Sequence, residues 1–79
     1  MRNPKAVERA KRTLGANMRR MRYALGLTLG EAGARAGLHW RHFQKVEAAE
    51  VNATIATLVG IAAALETTLA GLFTKRRPS

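Results

Sequence analysis

Apolar residues recur along the chain at helical steps, and nowhere do they alternate over the length of a strand. From about Lys5 to Leu25, the residues Val7, Ala10, Leu14, Met18, Met21 and Leu25 follow one another at steps of three and four. They predict one long helix with a single apolar stripe. Residues 1–4 are expected to fray ahead of it, and Pro4 suits a first helical turn. Gly15 costs the middle about 1 kcal/mol relative to Ala. Two readings follow: one continuous helix, or a packed part starting near Gly15 with 1–13 as a looser basic extension. Gly26 ends the helix just past its last apolar position. Thr28-x-x-Glu31 has capping-box spacing and opens a second helix over about Leu29 to Ala36. Gly30 and Gly33 make that helix intrinsically poor, so tertiary packing has to hold it. The small residues Ala32, Gly33 and Ala36 suit a close helix approach, and Gly37 supplies a tight turn.

A third helix is expected over about His39 to Ala49. Leu38, Phe43 and Val46 form its inward side, which leaves Trp40, Arg41, His42, Gln44 and Lys45 on the other faces. Residues 50–53 read as a loop. Thr54 caps a fourth helix, about Ile55 to Leu65, with Ile55, Leu58, Val59, Ala62 and Leu65 as its expected buried stripe. Thr67 or Thr68 caps a last short helix carrying Leu69, Leu72 and Phe73, and 75–79 is a polar tail with a late Pro78. The pattern is all-α, without an internal repeat or a low-complexity tract.

Composition narrows the class. Seventy-nine residues make one small domain whose core is marginal, a size at which dimerisation commonly adds stability. Cysteine is absent, which excludes a disulfide framework and a thiolate metal site and fits a reducing cytoplasm. No apolar run approaches the roughly 20 residues that span a bilayer, and no segment has the order of a signal peptide. The net charge is +9. Residues 1–22 hold eight Arg and Lys against one Glu; residues 23–74 hold Arg35, Arg41 and Lys45 against Glu31, Glu47, Glu50 and Glu66; residues 75–77 add three cations. The middle is therefore almost neutral and the ends are basic. A polyanion is the natural partner, either nucleic acid or an acidic membrane surface, while the plainer alternative is a solubilising surface. The arm from Arg2 to Arg12 suits phosphate or minor-groove contact; a disordered leader and a helical dimer contact are its alternatives.

His39 and His42 stand close enough along the chain to share a metal ion, but no third ligand accompanies them. No nucleophile, base and acid come together, and Glu31 and Glu47 are better explained by capping and pairing than by catalysis. Neither an enzyme nor a cofactor is expected.

One set of residues carries a likeness. It comprises Leu14-Gly15, Met18-Arg19 and Met21-Arg22 in the first helix, Gly26-Leu27-Thr28 before the second, and Ala36-Gly37-Leu38 at the turn. Phe43, Val46 and Glu47 follow in the third helix, and Thr54-Ile55, Leu58, Ile61-Ala62, Leu65 and Leu72-Phe73 close the series. In order and spacing the chain resembles the phage-repressor and Cro-type helix-turn-helix family, also called the xenobiotic-response-element family, over Leu14 to Phe73. The resemblance implies a five-helix bundle of the lambda-repressor-like type spanning 14–74, with 1–13 ahead of it and a basic tail at 75–79. Its second and third helices would be a DNA-binding pair, with the third in the major groove. Base contacts would come from Trp40, Arg41, His42, Gln44 and Lys45. Arg suits guanine, Gln suits adenine, and Lys donates to guanine or phosphate. Trp40 has three open roles: stacking on a sugar, packing on a thymine methyl, or meeting a protein. Backbone contacts would come from Thr28, Leu29, His39 and Arg19, and from Arg2, Lys5 and Arg9 on the arm. Arg22 and Glu47 would form a structural ion pair, and Leu69, Leu72 and Phe73 would form a dimer surface.

Two departures stand out. Leu29 occupies a position where the family commonly has Gln, and Ala49 one where it commonly has Gly, so the third helix is expected to run longer or end differently over 48–53. The function implied is a cytoplasmic transcriptional regulator. It would be a repressor, homodimeric on an inverted repeat, of the phage, plasmid or restriction–modification controller kind. The alternative is an antitoxin that binds a toxin and represses its own promoter. No membrane partner is expected.

Overall fold

The computed structural model describes residues 3–75. Arg2, Arg76 and Arg77, expected above as parts of a basic arm and tail, lie outside them. Within the described residues the elements are α1 (Pro4–Ala24), α2 (Leu29–Ala36), α3 (Trp40–Glu47), α4 (Ile55–Ala64) and α5 (Leu69–Phe73). No strand occurs among them. No helix among the described residues is long and apolar enough to cross a membrane.

Each helix starts on a side-chain acceptor. Asn3 Oδ1 takes the Ala6 amide, Thr28 Oγ1 takes Glu31, His39 Nδ1 takes Arg41, Thr54 Oγ1 takes Thr57 and Thr68 Oγ1 takes Gly71. These acceptors answer amides that the helix itself leaves unpaired. Thr28 and Glu31 complete a reciprocal capping box, because the Thr28 amide also donates to Glu31 Oε1 at 2.9 Å. Four helices end alike. A left-handed residue follows the last turn, and the amide after it reaches back to a carbonyl five residues earlier: Leu27 to Arg22, Leu38 to Gly33, Glu50 to Lys45 and Thr67 to Ala62. At two of these ends the left-handed residue is glycine, Gly26 and Gly37. At the others it is Ala49 (φ 62°) and Glu66 (φ 58°). The third helix therefore ends at Glu47 and does not run on to Ala49, whose side chain strains the left-handed stop.

The core comprises Leu14 and Met18 of α1, Leu27, Ala32 of α2, Phe43 and Val46 of α3, Leu58, Ile61, Ala62 and Leu65 at α4, and Leu72 of α5. α2 packs on α3 and α4, α1 on α3 and α5, and α4 on α5. Two close approaches set this arrangement. A methyl on Gly15 would overlap the carbonyl oxygen of Glu47, and one on Gly60 would come within 2.6 Å of the Ala36 carbonyl oxygen. Gly15 is thus no helix break. α1 runs through it without interruption, and residues 4–13 are its first half rather than a looser extension.

Two expected stripes are corrected. Val7 is 47% exposed and Ala10 also faces outward, because α1 begins beyond the body it packs on, and Leu25, 37% exposed, lies past the last turn as the C-cap. On α4, Ile55 is 67% exposed and Val59 half exposed, while Ile61, left out of the expected stripe, is fully buried. The helix is apolar nearly all round, so its own sequence does not say which side turns inward. Buried Asn17 is a feature the pattern did not signal. Its amide donates to Leu72 O (2.8 Å) and Thr74 O (2.9 Å), tying the end of α5 to α1.

The two special backbone positions give opposite expectations. Ala49→Gly removes the Cβ penalty of the left-handed conformation and should raise stability by about 1 kcal/mol. Gly15→Ala gains roughly 1 kcal/mol of helix propensity but must push α3 off α1, which costs about 1–3 kcal/mol or more. Denaturant titration should therefore show a net loss for Gly15→Ala, and a gain there would refute the close approach.

Candidate nucleic-acid interface

Leu27 to Glu47 folds as two short helices across one tight turn. Gly37 sits at φ 73° and closes α2, and its amide meets the Ala34 carbonyl. Gly33 lets α3 start close by: a methyl there would lie 2.9 Å from the Leu38 carbonyl oxygen and 3.2 Å from Trp40 Cα. α3 is eight residues long and turns Phe43 and Val46 fully inward. Trp40, Arg41, His42, Gln44 and Lys45 are all exposed. On a helix, Arg41 and Lys45 share one row and Trp40 and Gln44 the next, with His42 to one side.

The Arg41 guanidinium lies over the Trp40 ring at 5.4 Å, and His39 stacks on the same side chain at 5.9 Å. This cation–π contact is worth about 0.5–1 kcal/mol at an exposed position. It rests Arg41 without neutralising it. Among the described residues, Arg41 and Lys45 have no carboxylate partner, and the Gln44 side chain has no protein hydrogen bond. The donors and acceptors of this face are therefore not engaged by the described residues. His39 is exposed and spends Nδ1 on capping α3. No group of three or more metal-ligating side chains occurs among the described residues.

Below α3, Glu47 receives Arg22 side-on: Nε to Oε2 at 3.0 Å and Nη2 to Oε1 at 2.9 Å. The third arm, Nη1, donates to the Leu27 carbonyl at 3.0 Å. The two side chains are 9% and 5% exposed. Hydrogen bonding to Glu47 raises the Arg22 pKa further above its ordinary value, outweighing the burial that opposes it. Arg19, expected on phosphate, places its Nε on Glu47 Oε1 at 3.3 Å and stays 54% exposed.

The remaining expected residues separate. Thr28 is exposed at the start of α2, but its hydroxyl is engaged in the capping box. The Leu29 side chain packs on the core, because an aliphatic side chain beside the apolar interior has no reason to leave it. Lys5 and Arg9 are exposed on the first half of α1. Leu72 is corrected outright. At 0% exposure it is a core residue and cannot be a dimer contact, whereas Leu69 and Phe73 remain partly exposed on α5. An i, i+3 spacing put Leu69 and Leu72 on one apparent face, but Asn17 pins the Leu72 carbonyl to α1 and turns that side chain inward.

The comparison with solved structures bears on this arrangement. The chain is similar to the crystal structure of an HTH_3 family transcriptional regulator from Vibrio cholerae, with a TM-score of 0.78 and 27% sequence identity over 85% of this chain. The fold is that of a helix-turn-helix domain. The chain spans 38% of that regulator's length. No protein-family model and no curated protein matches it. Within the helix-turn-helix domain, α2 and α3 are the pair joined by the Gly37 turn, and α1 and α4 brace it.

Two measurements probe the brace. Glu47→Ala leaves Arg22 buried without its partner and should cost about 3–5 kcal/mol, whereas exposed Glu50, which has no ion pair among the described residues, should tolerate alanine with little change in melting temperature. Equal, small effects would show the pair to be energetically idle. The second measurement concerns acid. Hydrogen bonds from the Thr28 amide and hydroxyl hold the Glu31 carboxyl below the usual carboxylate range. Its contribution is complete above the unfolded value and is lost as pH falls through the depressed folded value. The stability gap between the parent chain and Glu31→Gln should therefore narrow on acidification below that range, and a gap independent of pH would exclude the capping carboxylate as its source.

Proposed function

We propose that this chain is a sequence-specific DNA-binding transcriptional regulator that reads base edges through α3. The observation that carries the reading is the split character of α3. Phe43, Val46 and Glu47 are locked beneath it, while Trp40, Arg41, His42, Gln44 and Lys45 project unpaired from a helix-turn-helix whose similar structure is named a transcriptional regulator. An α-helix is about 10–12 Å wide with its side chains, and the major groove of B-DNA is about 12 Å wide. Laid there, Arg41 can pair with both acceptors of a guanine and Gln44 with an adenine, while Lys45 donates to guanine or phosphate. Trp40 lies beside Arg41 and packs on a sugar or a thymine methyl.

The start of α2 serves the backbone. The Leu29 and Gly30 amides open the helix and face outward with its positive dipole end, where phosphate oxygens are favoured. His39 and Thr28 flank them. In this reading the protein is a homodimeric repressor in the cytoplasm, of the phage, plasmid or restriction–modification controller kind. Two copies meet through Leu69 and Phe73, which lie one turn apart on the exposed side of α5. The dimer spans an inverted repeat with half-sites about 34–36 Å apart. It lowers transcription by covering the promoter.

Selection of bound sequences from random duplex DNA at physiological salt tests the reading directly. A palindromic consensus is expected, and Arg41→Ala or Gln44→Ala should each relax preference at particular base pairs by about 1–3 kcal/mol. No enrichment would refute the function, a non-palindromic site would refute the symmetric dimer, and a uniform loss across sequences would remove the substituted residue from the readers.

A further inference from the structure

α1 has three sides in this fold. One meets α3 through Gly15, Arg19 and Arg22; one meets α5 through Asn17; the core side carries Leu14 and Met18. The remaining surface points away from the domain and carries Lys5, Arg9, Arg12 and Arg20, all exposed. Lys75 joins it, lining an open cleft with Thr13, Ala16, Asn17 and Arg20. None of these cations has a carboxylate partner among the described residues; Glu8, the acidic residue nearest in sequence, pairs with Lys11 instead. Arg20 donates to the neutral Asn17 amide oxygen at 3.2 Å.

At about 100° per residue, Arg9 and Arg20 stand roughly 120–140° round α1 from Gly15, the line that faces α3, and Lys5 and Arg12 roughly 60–80° round it in the same sense. Arg9 and Arg20 turn away from α3, on the side roughly opposite Met18, and Lys5 and Arg12 fill the flank between that side and α3. Along the axis, Lys5 to Arg20 covers about 22 Å at 1.5 Å per residue, close to six base-pair steps of about 3.4 Å. A row of cations this long and unpaired suits the evenly charged backbone of a duplex. Its large side chains other than the cations are limited to Tyr23, because exposed Val7 lies on the Met18 side of α1, away from this row, and surface-bound membrane helices need a free apolar face beside their cations.

We propose that the outward face of α1 is a second DNA-backbone-binding surface, which holds a duplex segment other than the one read by α3. The proposal rests on the DNA-binding reading of the preceding subsection. Sequence is read on one side, and on the other Lys5, Arg9, Arg12 and Arg20 capture phosphates of a neighbouring or looped segment without base preference. The regulator can thereby bridge two stretches of DNA.

The test uses the full chain, an immobilised duplex carrying the selected site, and a labelled duplex of unrelated sequence in solution. The parent protein is expected to retain the second duplex on the first at low salt, and to lose it steeply as salt rises. In Lys5→Gln/Arg9→Gln/Arg12→Gln/Arg20→Gln, retention should fall about tenfold or more and its log–log salt slope should flatten by about 3–4 units, at roughly 0.9 per phosphate contact. Melting temperature and site preference should stay as in the parent. Should the quadruple variant melt early, the pairs Lys5→Gln/Arg9→Gln and Arg12→Gln/Arg20→Gln are each expected to give about half the slope change.

Arg41→Ala/Gln44→Ala should do the reverse, losing site preference and keeping capture. Capture between two unrelated duplexes also separates failure of this face from failure of the reading helix. Unchanged retention in the quadruple variant overturns the proposal in favour of two reading helices of a dimer. A slope loss on the first duplex with no second-duplex capture by the parent overturns it in favour of a single extended footprint. Retention on phosphatidylserine vesicles at a salt where the second duplex is not held overturns it in favour of a membrane.

Discussion

The buried pair between Arg22 and Glu47 is the constraint on which the recognition surface depends. Taking two charges out of water is expensive, and the expense is offset only when every arm is satisfied. Here Arg22 spends two arms on the carboxylate and one on the Leu27 carbonyl, so one side chain fixes α1, the turn into α2 and the last turn of α3 together. Gly15 makes the pair possible, since any side chain there would hold α3 away from α1 and Glu47 out of reach. A pair of apolar residues could match the pair in stability, but it would not fix direction. The base reading proposed for α3 needs direction, because a misplacement of about 1 Å is enough to spoil a positioned contact.

That constraint matters because α3 cannot hold itself. Eight residues are too few for a stable isolated helix, and its outward face is given over to polar and aromatic side chains. Its position is imposed from below by Phe43 and Val46, from one end by Gly33 and the His39 cap, and from the other by Glu47. The outcome is a surface with fixed backbone and free side chains. Attraction and recognition are consequently divided. α3 carries few charges for its area, whereas α1 carries an unpaired row along its outward face. In the proposed function, long-range steering toward a polyanion belongs to that row, and discrimination among sequences belongs to the five α3 side chains.

The apolar surface left over has a geometric origin. α1 is longer than the body beneath it, so Val7 and Ala10 overhang and line a shallow groove with Val51, Ala53 and Phe73. α4 is apolar on almost every side and turns only Leu58, Ile61, Ala62 and Ala64 inward. Among the described residues no buried side-chain polar atom lacks a hydrogen-bond partner, so the polar groups that do go inside are structural clamps.

By itself, the sequence determined whatever acts within a turn or two of chain. The Thr28–Glu31 box, the Thr54 cap, the Gly26 and Gly37 stops and the inward pair Phe43 and Val46 were all readable, because capping and one-sided periodicity are local physics. So were five helices and the exposure of Trp40, Arg41, His42, Gln44 and Lys45. The last cap is Thr67 or Thr68 by sequence and Thr68 in the structure. The resemblance to a known family supplied the pairing of Arg22 with Glu47, which no local rule could give across 25 residues. Only the tertiary structure decided which side of an all-apolar helix turns inward, leaving Ile55 and Val59 outside and Ile61 within. It alone took Leu72 from an expected surface into the core, gave Asn17 two carbonyls to hold, drew Arg19 toward Glu47 and forced Ala49 into a left-handed turn. The physical reason is common to these cases: burial is a property of two surfaces meeting, and the strain at Ala49 is sustained by packing on either side of it rather than by any preference of its own residue.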